Sequence, residues 1–264
     1  MSGDRVRLVV VDGTARLTMV RPETGNAFDT LLVEELAAAV TVLHTTPGIR
    51  VLLIDAEGRN FTVGGDLNFL GGDLDRFSTV VDAMIGGYHD TVLPRLDSLP
   101  FPIVSAVQGS AAGGGLGLVW CADIVVAADD LRLVTGFDKL GLSGDGGSSW
   151  HLPRLVGLRR AQQMMIGGDA VDAARALEWG LVTHVVPRAE LAERAAEVTA
   201  RLAAGPTRAF ARMRALLAQS SSTGHAQQLA DERQAMWECA REPDVREGVT
   251  AFLERRAPRF GISS

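Results

Sequence analysis

Cysteine is scarce in this chain. There are two, Cys121 and Cys239, with no C-x-x-C pair around either. That spacing excludes a zinc-ribbon site and supplies no disulfide framework, so no metal and a reduced, cytoplasmic setting are expected. Long apolar runs are missing as well. No stretch of about eighteen apolar residues occurs, so no membrane span is expected. The segment from Met1 to Asp12 lacks the apolar centre of a secretory signal. Positive charge is not in excess either: the net charge is −6, which argues against a nucleic-acid partner. The histidines form no H-E-x-x-H spacing, no G-x-S-x-G elbow surrounds a serine, and no G-K-[ST] follows a glycine run. Zinc peptidase, serine hydrolase and P-loop readings fall away with them.

What is present suffices for a sizeable core, since 47% of the 264 residues are hydrophobic. Val6 to Val11 and Thr14 to Val20 are β-rich runs joined by Asp12-Gly13, a hairpin dipeptide. Asp29 to His44 has Leu32, Leu36, Val40 and Leu43 at helical spacing, with Asp29 as N-cap. Val51 to Ile54 and Ile103 to Val107 read as buried strands. Between them, Phe77 to Leu99 is helical, with breaks expected at Gly86-Gly87 and Pro94. Ile124 to Ala127 and Leu131 to Val134 are further strands. After Pro187 the pattern turns all-helical, over 190–204, 206–219, 225–241 and 244–255, with Pro206 suiting a first helical position. The expected organisation is an α/β core over residues 1–200 and a helical region over 201–264.

Two glycine clusters carry the chemistry. Phe61-Thr62-Val63-Gly64-Gly65-Asp66-Leu67 follows the first buried strand, and Gly113-Gly114-Gly115 opens a small-residue helix after the second. Glycine lets a ligand approach the main chain closely. A helix start offers unpaired N–H groups with partial positive charge. Two such groups aimed at one point would make an oxyanion hole. Each cluster taken alone also fits a turn or close helix–sheet packing.

In this order and spacing the segments resemble the crotonase (enoyl-CoA hydratase/isomerase) superfamily, over nearly the whole chain. Arg21-Pro22 with Asn26-Ala27 resembles the family's loop along coenzyme A, and Phe61 to Asp66 and Gly109 to Gly115 resemble its two oxyanion segments. Leu140-Gly141-Leu142, Asp145-Gly146-Gly147 and Leu152-Pro153-Arg154 resemble its active-site loop and following helix. Ala174 to Pro187, then Glu247-Gly248, Phe252 to Arg256 and Pro258 to Phe260, resemble its later signatures.

The resemblance implies a ClpP/crotonase-like α/β spiral of ββα units with an all-helical C-terminal region. It implies an acyl-CoA substrate whose thioester oxygen meets the N–H groups of Gly65 and Gly114. No separate cofactor is implied, because coenzyme A enters as part of the substrate. Asn26, Ala27, Val63, Gly65, Asp66, Leu67 and Asn68 are implied contacts to it. Arg255 and Arg256, with Arg259, are implied partners of its phosphates, reached from a neighbouring subunit of a homotrimer or dimer of trimers. Asp66 equally fits a cap of the next turn.

The family's hydratases position water with two glutamates. Here Gly117 and Phe137 stand at those positions, with Asp138 one residue past the second. Asp145, in Gly144-Asp145-Gly146-Gly147, resembles the P-D-G-G loop of the family's isomerases, where one carboxylate shuttles a proton between two carbons. It also suits a cap for a helix over Ser148 to Leu155. Trp150 and His151 are candidates for the acyl pocket wall. The expectation is an enoyl-CoA isomerase using Asp145. The alternatives are a hydratase, other crotonase-type lyase or thioesterase, and a silent CoA-binding paralogue. The loop Phe69 to Phe77 is expected to cover the pocket.

Overall fold

The computed structural model describes residue 1 and residues 3–261. The chain opens with the hairpin β1 (Val6–Val11) and β2 (Thr14–Met19), paired from Val6↔Met19 to Val11↔Thr14. Asp12 and Gly13 both take positive φ, the turn that matches strand twist. Helix α1 (Thr30–Thr45) follows, and Asp29 caps it by accepting the Leu32 N–H at 2.8 Å. Then come β3 (Val51–Ala56), the short α2 (Leu67–Leu70), α3 (Phe77–Gly87) and α4 (Leu93–Asp97). A π-helical turn, Tyr88–Val92, joins α3 to α4. The expected break at Gly86-Gly87 therefore does not occur. The helix absorbs both glycines and accommodates Pro94 by widening one turn and restarting.

Next are β4 (Ile103–Val107), β5 (Ser110–Ala112), α5 (Gly117–Trp120), β6 (Ile124–Ala128) and β7 (Arg132–Val134). Helix α6 (Ser148–Met165) breaks at Gly157, whose φ of 77° is non-helical. It is followed by β8 (Val171–Asp172), α7 (Ala173–Trp179), β9 (His184–Val186) and α8 (Leu191–Ala203). The chain closes with α9 (Thr207–Gln219), α10 (His225–Cys239) and α11 (Pro243–Leu253). Pro206 caps α9 and does not occupy its first turn. Residues 262–264 of the expected helical region lie outside the described residues.

One sheet runs β1-β2-β3-β4-β6-β9, parallel after the first hairpin, and a second runs β5-β7-β8. The central strands β3 and β4 are buried almost along their length because both faces are covered, and apart from Asp55 and Ser105 they are apolar. On one face Leu52, Ile54 and Ile103 join the main core with Leu36, Val40 and Phe61. On the other, Leu191, Ala195 and Val198 of α8 pack on Leu53, Val104 and Ala106. The expected boundary at 200/201 falls inside α8, so that helix belongs to the core.

Helix α9 is tied back to that core by Arg214. Its guanidinium donates to Asp123 Oδ1 at 2.8 Å and to the carbonyls of Asp97 and Cys121. Among the described residues no helix is long and apolar enough to cross a membrane.

Candidate active site

Both glycine clusters follow the C-terminal ends of neighbouring parallel strands, β3 and β4, the edge where open α/β sheets place ligands. A short ladder zips the two connections together. Phe61 N–H donates to Gln108 O, Thr62 N–H to Ser110 O, and Ala112 N–H to Thr62 O, at 2.8, 3.0 and 3.1 Å. This brings the glycines to van der Waals distance. A Cβ built on Gly113 would lie 3.4 Å from Gly64 Cα and 3.9 Å from Gly65 N.

The free amide at Gly65 is a product of strand geometry. Phe28 and Gly65 form an isolated parallel bridge. In it Phe28 N–H donates to Gly64 O and Asp66 N–H to Phe28 O, both at 2.8 Å. A parallel bridge uses the groups flanking the bridged residue, which leaves the Gly65 N–H over. Gly114 sits in the first turn of a 3-10 segment, Gly113–Leu116, where N–H groups have no partner within the helix. Among the described residues neither N–H donates to a protein acceptor. Both line one cavity of about 290 Å³. Two unpaired donors on one wall can receive an oxygen as it becomes negative.

The cavity's other walls are apolar, with Leu70, Phe77, Val81, Met84, Phe137 and Leu142 prominent, and Lys139 also reaches it. Leu70 and Phe77, at the end of α2 and the start of α3, come from the expected cover segment. Asp145 supplies the carboxylate of the lining. It lies in a loop where Gly144, Gly146 and Gly147 all have positive φ. His89 holds the loop, its Nε2 accepting the Gly146 N–H at 3.0 Å. The carboxyl rests against Gly114, where an added Cβ would meet Asp145 Oδ1 at 2.5 Å. Burial raises the Asp145 pKa. Asp145 does not cap α6. The cap is Gly147, which makes no side-chain bond, and Asp145 Oδ1 is buried without a partner.

Asp138, the alternative carboxylate one residue past the second glutamate position, does not reach the cavity. It is exposed on a 3-10 turn and faces Gly168, away from the cavity that Phe137 lines. One residue along such a turn rotates the side chain by about 120°. Trp150 and His151 do not line the cavity either. Trp150 is half exposed beneath the Arg154 guanidinium, 4.0 Å from its ring, and His151 packs edge-on against it. Burial first, then the Arg154 charge, lowers the His151 pKa to about 4.

The expected coenzyme A contacts fall into three groups. Val63, Gly65 and Leu67 line the cavity. Asn26 and Ala27 are buried. The Asn26 side chain is spent on Arg21 N–H, Glu57 O and Asn60 O, where it holds the loop. Of the two roles open to Asp66, the cap is formed, accepting the N–H groups of Asn68 and Phe69 at 3.1 Å, and exposed Asn68 serves as one of the capped donors. In the C-terminal segment Arg256 forks onto Glu247 at 2.6 and 3.0 Å, the Arg259 N–H bonds the same carboxylate, and Arg255 takes a φ of 56°. None of the three lines the cavity.

His89, Tyr88 and Lys139 went unseen in the sequence. His89 is an isolated histidine, and its partner at Gly146 is 57 residues away. No local spacing could have signalled the pair.

The sequence pattern of a family described as "Enoyl-CoA hydratase/isomerase" matches residues 11–262. The chain is 35% identical to a 1,2-epoxyphenylacetyl-CoA isomerase of Escherichia coli K12, over 95% of this chain and 96% of that protein. It is 30% identical to a crotonyl-CoA hydratase of Syntrophomonas wolfei, over 98% and 99% of the two chains. A crystal structure of an enoyl-CoA hydratase from Polaromonas sp. JS666 superposes with a TM-score of 0.90 at 31% identity, covering 96% of this chain and 98% of that one.

Proposed function

The chain belongs to the enoyl-CoA hydratase/isomerase family, and from that premise we propose that it is an enoyl-CoA isomerase that moves a double bond by a proton shuttle through Asp145. The carrying observation is the cavity lining. Asp145 is its carboxylate, and glycine and phenylalanine stand at 117 and 137.

In this reading the thioester oxygen of a 3-enoyl-CoA accepts from the Gly65 and Gly114 N–H groups. Ionised Asp145 removes a proton from the carbon next to the thioester. The C–H electrons pass into the C–C bond and onto the oxygen, giving an enolate that the two amides stabilise. Asp145 then returns the proton two carbons further along, and the electrons collapse into a 2-enoyl product. No water is consumed. A raised pKa suits a group that must both take and return a proton. The apolar walls keep water from competing.

The same reading includes coenzyme A along Val63, Asp66 and Leu67. It also includes assembly as a homotrimer or dimer of trimers, with Arg255 and Arg256 meeting phosphates bound to a neighbouring subunit. Exposed Leu217, Met236, Trp237 and Phe252 on the C-terminal helices support the assembly.

The test is a panel of 3-enoyl- and 2-enoyl-CoA thioesters with product identification, run on the wild type and Asp145→Asn. Interconversion of the two enoyl isomers is expected. The variant should lose about 10²–10⁴-fold in kcat while acyl-CoA binding is kept. Build-up of 3-hydroxyacyl-CoA from 2-enoyl substrates would make the protein a hydratase.

A further inference from the structure

Tyr88 is the chain's single tyrosine. It is 3% exposed, and among the described residues its hydroxyl has no hydrogen-bond partner. Asp145 Oδ1 is likewise buried and unpartnered. A buried polar group left unsatisfied is costly, so two in one place call for a shared explanation. Both line a second, smaller cavity of about 30 Å³, where Gly65 and Gly114 form part of the wall. Its remaining lining is apolar: Phe28, Val33, Met84 and Ile85. The volume admits a water, and the two oxygens are the side-chain polar groups available to hold it.

The surroundings fix the phenol in this position. Its ring stacks edge-on against Phe28 with centroids 5.3 Å apart. Tyr88 opens the π-helical turn, and the next residue, His89, grips the Gly146 amide. Consecutive residues of one widened turn thus address the Asp145 loop, one through its backbone and one beside its carboxyl. π-turns are frequent where a helix is bent to functional use. Gly117 clears the space: a Cβ there would lie 2.8 Å from the Tyr88 hydroxyl and 2.9 Å from Gly146 O.

We propose that Tyr88 is a positioning residue for Asp145, its hydroxyl holding Oδ1 through one bridging water so that Oδ2 is the oxygen presented to the substrate. This rests on Asp145 being the proton carrier. Burial, before any neighbouring charge, pushes the Tyr88 pKa well above its usual value. The hydroxyl therefore remains a donor throughout the working pH range. A donor on the carboxylate favours its ionised form, against the burial that raises its pKa.

The single tyrosine makes the test direct. Protein labelled with 13C at the tyrosine ζ carbon gives one signal, followed by NMR across the acid-to-neutral range. In the wild type the signal should shift as Asp145 ionises, and in Asp145→Asn that step should vanish. His89 and Asp97 also face this region, so a step that survives in Asp145→Asn has another source and overturns the proposal, as does a flat signal in the wild type. With turnover, Tyr88→Phe should move the acid limb of kcat/KM to higher pH and lower kcat about tenfold with KM nearly constant. An acid limb that stays in place also counts against it. If Tyr88→Phe does not fold, the labelled wild type and Asp145→Asn still decide. Asp145→Asn that retains isomerisation sinks the functional reading. Lost activity with an unresponsive Tyr88 signal sinks only the positioning role.

Discussion

Gly114 shows how tightly the reacting groups are set. Its N–H has no protein acceptor, while its Cα abuts the Asp145 carboxyl closely enough that a methyl would sit 2.5 Å from Oδ1. Gly114→Ala keeps the amide but must displace the carboxyl. A shift of about 1 Å in such a group costs on the order of 10²-fold in rate. The expected outcome is that loss in kcat with acyl-CoA affinity, measured by calorimetry, changed little; an alanine variant of full activity would mean that the carboxyl is not working from this place. Asp145 itself carries a stability cost. Its folded pKa is raised by burial, so the charged form is disfavoured in the native state. That penalty is absent below the unfolded value near 3.8, grows as pH rises through the folded pKa, and is constant above it. Asp145→Asn should therefore melt at higher temperature than the wild type at pH 7, with the gap closing toward pH 3. Equal melting temperatures at pH 7 would show that the carboxylate is not strained by its site. Asp145 and the two glycines were legible in the sequence because each lies in a short motif. His89 and Tyr88 were not, because what they touch is brought to them only by folding.

At the scale of elements, the loop from Gly144 to Gly147 follows its own path. The P-D-G-G motif that it resembles has proline where this chain has Gly144. Here Gly144 has a φ of 108°, an angle no proline ring can reach, and an added Cβ would press on Met165 and Phe137 at 3.0 and 3.3 Å. Gly144→Pro, which by motif alone would stiffen the loop, should instead destabilise the protein by more than about 1 kcal/mol and lower turnover. Chemical denaturation and kcat measure the two effects, and a stabilised, active variant would contradict the backbone path. The helix after Tyr88 gives the converse lesson. Gly86, Gly87 and Pro94 read as breakers because local propensity disfavours them, yet tertiary packing of Met84, Val92 and Leu96 into the core carries the helix through them. The strands were easier to read. β3 and β4 open on runs of consecutive apolar residues, Val51 to Ile54 and Ile103-Val104, and are buried on both faces.

For the whole molecule, the C-terminal helices are anchored on one side and open on the other. Arg214 docks α9 through Asp123 and neighbouring carbonyls, and Arg212 reaches across to Glu238 and Glu242. The opposite surfaces leave Leu217, Met236, Phe252 and Leu253 more than 70% exposed. The apolar pattern of these helices was visible in the sequence, but whether it packs inward or outward depends on how the helices attach to the core. The core already has its second face closed by α8, so these side chains have no place left within their own chain. Self-association is the covering the functional reading requires, since it also carries Arg255 and Arg256 toward a neighbour's ligand. The wild type should sediment as three or six times the 28.0 kDa chain. Placing charge on the open surface with Phe252→Asp and Met236→Asp together should shift it toward monomer and weaken acyl-CoA binding at low protein concentration. A wild type that sediments as a monomer at micromolar concentration would remove both the assembly and the role given to those arginines. It would leave the proposed chemistry at Asp145 standing, because Gly65, Gly114 and Asp145 lie together on the same chain.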